Sequence, residues 1–166
     1  VQRKLLREKI QANYKSHEEV VCDAYSTETA ISRLKMALLC TVTKAGKESE
    51  IGNICLKIDW LYQDLADELE ENSSDYESKK ENYLAEAHNF AMNAYEHLSK
   101  ARMEEEFPIA GMNETTLDYL LAYLGYMKGE YQTAMQYLSG VVSTRGISPR
   151  LKDKCLELKE LLNQKL

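Results

Sequence analysis

Proline and glycine are scarce in this chain of 166 residues, at 2 and 7 respectively, so the usual punctuation of sheet proteins is missing. Runs of strand length that alternate apolar and polar residues are hard to find. Leu, Ala, Glu and Lys are abundant instead, and the fold class reads as all-α. No stretch approaches the roughly 18 to 20 consecutive apolar residues that span a bilayer. The amino end, VQRKLLREKI, is amphipathic without the apolar core of a signal peptide, so a cytoplasmic protein is expected. The chain begins at Val1 rather than Met, and a piece of a longer protein is expected. Its length suits one domain with an ordinary core, placed here at residues 1–166.

Paired metal ligands are also lacking. Cys22, Cys40, Cys55 and Cys155 are scattered and read most simply as small core residues. His17, His88 and His97 are equally isolated, so neither a metal nor another cofactor is expected. Basic excess is missing too. With 27 acidic against 21 basic residues and a formal charge of −6, a grip on nucleic-acid phosphates or an anionic membrane is disfavoured. Basic or neutral protein partners fit better.

What the chain does contain is helical periodicity, clearest over NETTLDYLLAYLGYMKGEYQTAMQYL, residues 113–138. At 100° per residue, Leu117, Leu120, Leu121 and Leu124 fall on one side of a helix, with Tyr119, Tyr123 and Tyr126 almost opposite. A helix apolar on both sides has more than one neighbour. Asn113 suits its N-cap. The turn at Lys128-Gly129-Glu130 leads to a second helix carrying Tyr131, Ala134, Leu138 and Val141, with Ala134 small enough for a close approach.

Similar reasoning places a short helix over Gln2–Tyr14 and a turn of helix over Val20–Ala24. A helix capped by Ser26 or Thr27 follows, ending near Lys44, then another from Glu48 to Leu69. Glu70–Ser78 is polar and reads as a flexible connection. A long helix is expected from about Glu77 to Glu105. Phe107–Met112 must be loop around Pro108 and Gly111, and Pro149 opens the last helix. One signature of small and apolar residues recurs three times: Ala30, Leu34, Ala37; Ala87, Ala91, Ala94; and Ala134, Leu138, Val141. Its intervals exceed the ~34 residues of a regular tetratricopeptide unit.

The last hairpin carries a more specific likeness. Leu121, Ala122, Gly129, Tyr131, Ala134 and Leu138 resemble the tetratricopeptide pattern, with Asp118 in place of its first-helix Trp and Gly125 in place of a later aromatic. The segments AISRLKMA (30–37), Trp60-Leu61-Tyr62, FPIAGMNE (107–114) and 119–134 together resemble an uncharacterised bacterial family, a domain of unknown function. Its members join a zinc-ribbon-like amino-terminal part to a tetratricopeptide-like helical region. The resemblance spans roughly residues 1 to 164. Where that pattern has Gly-Gly before Met, this chain has Ala110-Gly111. The Gly-punctuated helical periods predict a right-handed array of about six or seven helices; the resemblance implies that it is tetratricopeptide-like and carries over no zinc ligand and no activity.

Three functional readings follow. The leading one is a non-catalytic interaction or scaffold module that binds a protein or peptide segment on a concave helical surface. The resemblance would put Tyr119, Tyr123 and Tyr126 on that surface, with Asn53, Trp60 and Gln63, unless the tyrosines pack between hairpins instead. The second is self-association as a homodimer, or a spacer role. The third is an enzyme using Asp59, Glu86 or His88 as acid or base, although no nucleophile pair, phosphate loop or ligand set accompanies them.

Overall fold

A computed structural model describes residues 23–166. It contains six helices: α1 (Asp23–Thr43), α2 (Glu48–Glu68), α3 (Tyr76–Glu104), α4 (Glu114–Lys128), α5 (Tyr131–Ser143) and α6 (Pro149–Lys165). Among the described residues the one strand-like pairing is an isolated bridge between Ile109 and Met112, so the chain is an all-α helical array. The helix expected over Gln2–Tyr14, with His17 and Cys22, lies outside the described residues.

Local chemistry accounts for most helix ends. Asn113 caps α4, its side-chain oxygen accepting from the Thr116 amide at 2.9 Å. At the other end Gly129 takes a left-handed φ of 92°, and the Glu130 amide reaches back to the Gly125 carbonyl at 2.9 Å. Ser148 caps α6 through the Leu151 amide, with Pro149 in the first turn. The start of α1 differs from expectation. The helix already runs at Asp23, so Ser26 and Thr27 lie inside it, and the Thr27 hydroxyl donates to Glu68 instead of capping.

The chain divides into two compact units, each with its own core. The first combines α1 with Ile54–Ala91, that is, most of α2 and the opening half of α3. Ile31, Ile58, Tyr62, Leu65 and Ala87 are buried together, with Leu34, Leu38, Tyr83 and Phe90 packed around them. Tyr62 stacks on Phe90 with ring centroids 6.0 Å apart. The Lys35 ammonium closes this aromatic group, lying 5.0 Å from the Tyr62 centroid and 5.7 Å from that of Phe90. Lys35 thereby pins the rotation of α1.

The second unit combines Lys47–Asn53 with Met92–Leu166. Its largest cluster is Ala122, Ala134, Leu138, Val141, Cys155, Leu158 and Leu162, drawn from α4, α5 and α6. The first turn of α2 is held by α3 and the residue just beyond it. The Ser49 amide and hydroxyl both donate to the Glu105 carboxylate, at 2.9 and 2.6 Å, which occupies a helix N-terminus where negative charge is favoured. Gly52 lets the backbones close up: a Cβ there would lie 2.7 Å from Cγ of the fully buried Leu98.

The recurring small-residue signature is buried in two of its three places. Ala87, Ala91 and Ala94 line α3, and Ala134, Leu138 and Val141 line α5. In α1, Leu34 packs against the core but Ala37 is exposed, because the core side of that helix runs through Ile31, Leu34 and Leu38.

Candidate functional site

The tyrosine-bearing helix α4 is built into the second unit from two sides. On the side toward α3, two positions mark the register. A Cβ at Gly125 would lie 3.3 Å from the Tyr95 hydroxyl and 3.4 Å from Cβ of Ala134, so glycine keeps space for the tyrosine of α3. Two turns earlier, the Asp118 carboxylate accepts from Nε of Arg102 at 2.9 Å. Tyr95 and Arg102 are spaced on α3 as Asp118 and Gly125 are on α4, but in reverse order. The pairs therefore describe antiparallel helices that stay in step over two turns. Both departures from the tetratricopeptide pattern are the places where α3 meets α4.

Polar partners secure this side. Arg102 also donates to Glu114 at 2.9 Å, and its guanidinium lies 5.0 Å from the Phe107 ring centroid. The hydrogen bond with Asp118 holds the Arg102 pKa above its ordinary value. The Tyr95 hydroxyl donates to Glu130 at 2.7 Å. Burial, then that carboxylate, pushes the Tyr95 pKa well up, while the same bond lowers the pKa of Glu130.

The loop into α4 is specified as tightly. Ile109 and Met112 exchange amide-to-carbonyl bonds at 3.0 and 2.9 Å, and between them Ala110 and Gly111 have φ of 50° and 74°. Two successive positive φ values make this a tight turn of the kind that favours glycine at both central places. That explains the Gly-Gly of the pattern, and Ala110 departs from it with a residue less suited to the left-handed region.

The other side of α4 carries the tyrosines. Tyr119 and Tyr126 are half-buried against the cluster formed with α5 and α6. The Tyr126 ring lies 5.9 Å from that of Tyr131, and burial pushes the Tyr119 hydroxyl up to about 12. Tyr123 alone stands out, 44% exposed. The stripe is thus divided: two rings help to close the core and one is presented to solvent.

The remaining candidate residues do not share this helix. Asn53 is half-buried on α2 within the second unit, whereas Trp60 and Gln63, also half-buried, belong to the first. Gln63 donates to Asp59 at 2.7 Å, and Asp59 is buried. Glu86 is half-buried and His88 exposed on α3. No group of three or more His, Cys, Asp or Glu among the described residues is placed to hold a metal ion. No described helix is long and apolar enough to cross a membrane.

Sequence reasoning missed Tyr95, Arg102 and Glu130. Their signal was the matched spacing of Tyr95 and Arg102 with Asp118 and Gly125, which acquires meaning only once α3 and α4 are known to be antiparallel neighbours.

No curated protein and no solved structure matches this chain. The model of one family, described as an uncharacterized protein conserved in bacteria (DUF2225), matches residues 1–162, and the chain belongs to that family.

Proposed function

We propose that this chain is a non-catalytic protein-binding module of tetratricopeptide-like type, which takes up a protein or peptide segment along the edge of α4 marked by Tyr123. The observation that carries the reading is the Tyr123 ring, 44% exposed on a helix whose other sides are packed. A tyrosine offers large contact area, a polar tip and few torsions to freeze, which is why such rings dominate binding surfaces. The fully buried Ala122 and Ala134 and the left-handed Gly129 support the tetratricopeptide likeness. Arg102 and Tyr95 take up the two positions where the pattern is broken. The chain's charge of −6 favours a basic or neutral segment.

Panning a peptide library against the chain tests this. Enriched peptides should be basic or neutral, and should bind the Tyr123→Ala variant about tenfold more weakly, equivalent to about 1.4 kcal/mol. Equal affinity for Tyr123→Ala would contradict the reading. A dimer that Tyr123→Ala dissociates would assign the edge to self-association instead.

A further inference from the structure

Helix α1 carries apolar side chains on two opposite sides. Its inner side, with Ile31, Leu34 and Leu38, packs into the first unit's core. Its outer side bears Met36, 67% exposed, and Leu39, 66% exposed, together with the exposed Cys40 and Thr43. At 100° per residue these four lie in one sector centred on Met36. The helix cannot bury them by rolling, because the Lys35 ammonium is bonded to the Tyr62 hydroxyl and capped by the Tyr62 and Phe90 rings. Val42, also exposed, borders the sector.

Charge distinguishes this face from the rest of the chain. From Thr29 to Lys47 the charged residues are Arg33, Lys35, Lys44 and Lys47, with no acid among them, in a chain whose overall charge is −6. Lys35 is engaged within the unit, which leaves Arg33 and Lys44, both exposed, along one border of the apolar sector.

We propose that the outer face of α1 docks an amphipathic helix of a partner protein whose apolar stripe is flanked by Asp and Glu. Met and Leu supply an adaptable apolar seat, and the basic rim selects acidic flanks. A second copy of this chain is a poorer occupant, because pairing α1 with α1 opposes basic rims of the same sign. A bilayer is also poorer, since interfacial helices bury a broad face of Trp, Phe and Leu and Leu39 alone of these types lies in the sector. The surface lies in the first unit and uses no residue of the Tyr123 edge, so it stands apart from the binding reading for α4.

Two synthetic helical peptides with the same leucine stripe, one flanked by Glu and one by Lys, provide the test by fluorescence anisotropy against the whole chain. The Glu-flanked peptide should bind about tenfold tighter or better, and its affinity should fall as salt rises. Met36→Glu combined with Leu39→Glu should abolish binding without changing the melting temperature, and Tyr123→Ala should leave it intact. Arg33→Glu with Lys44→Glu should reverse the preference between the peptides. Equal binding of both peptides, or binding indifferent to Met36→Glu, would overturn the proposal. So would a dimer dissociated by Met36→Glu in sedimentation, or co-sedimentation with phosphatidylglycerol vesicles in place of peptide binding.

Discussion

Helices α1 and α4 both carry apolar residues on more than one side, yet among the described residues α4 is covered by neighbours on two sides and α1 on one. The difference lies in what each offers. Toward α3, α4 presents Gly125, which admits the Tyr95 hydroxyl, and Asp118, which binds Arg102. Toward α5 it presents Ala122, fully buried with Ala134. Small residues at the contact let dispersion and burial act across a short interhelical distance. The outer face of α1 has large, flexible Met36 and Leu39 in a basic setting, and none of the described residues of its own unit covers them. Apolar periodicity alone therefore does not say whether a face is core or surface; the size and charge of the intervening residues decide it.

The comparison breaks most visibly with leucine deletions. Leu121→Ala in α4, at a fully buried position, should cost about 2 to 5 kcal/mol through lost burial and a residual cavity. Leu39→Ala on the outer face of α1 should stay within about 0.5 kcal/mol. Urea denaturation of the two variants compares them directly, and similar losses would mean that α1 is covered after all.

Overpacking gives the next effect. Ala134→Leu should cost about 1 to 3 kcal/mol, because no space remains between α5 and the Gly125 turn of α4. Gln132→Leu, at an exposed position of the same helix, should be nearly neutral. Equal shifts in melting temperature would show that the assigned hairpin register is wrong.

A stabilising change sharpens the account of the loop before α4. Ala110→Gly should add about 1 kcal/mol, since φ of 50° places Ala110 in the left-handed region that costs a residue with a Cβ roughly 1 to 2 kcal/mol. Chemical denaturation reads this as a raised midpoint. A lowered midpoint would contradict the turn assignment.

The smallest effect concerns pH. The Tyr95 hydrogen bond lowers the Glu130 pKa below the ordinary glutamate value of 4.5. Its contribution to stability is therefore present above pH 4.5 and disappears as pH falls through the lower folded-state value. Glu130→Gln should show a weaker loss of stability below pH 4.5 than the parent chain. An identical acid profile would remove Glu130 from the account.

Much of this architecture was legible in the residues. Asn113, Gly129, Ser148 and Pro149 set helix ends through local chemistry, and the 113–138 hairpin follows from its own periodicity. Ala110-Gly111 was visible as a departure, but only the two positive φ values explain it. What was not legible depends on register between helices distant in sequence. Nothing local to Gly125 indicates Tyr95, and nothing local to Ala37 indicates that its side of α1 faces outward. The candidate site suffered from the same gap: the tyrosines share a helix by periodicity, whereas their division into two half-buried rings and one exposed ring is decided by α5 and α6. The resemblance brings Asn53, Trp60 and Gln63 to the same surface as the tyrosines, but the helix that carries them contributes residues to both units.

The most direct measurement is of Tyr123→Ala, with thermal stability and affinity for a library-selected peptide determined on the same preparation. The account predicts a melting temperature within about 2 °C of the parent, as for an exposed side chain worth under about 0.5 kcal/mol, and about tenfold weaker peptide binding. Unchanged binding, or a loss of binding matched by a loss of stability, would contradict the assignment of this edge as a binding surface.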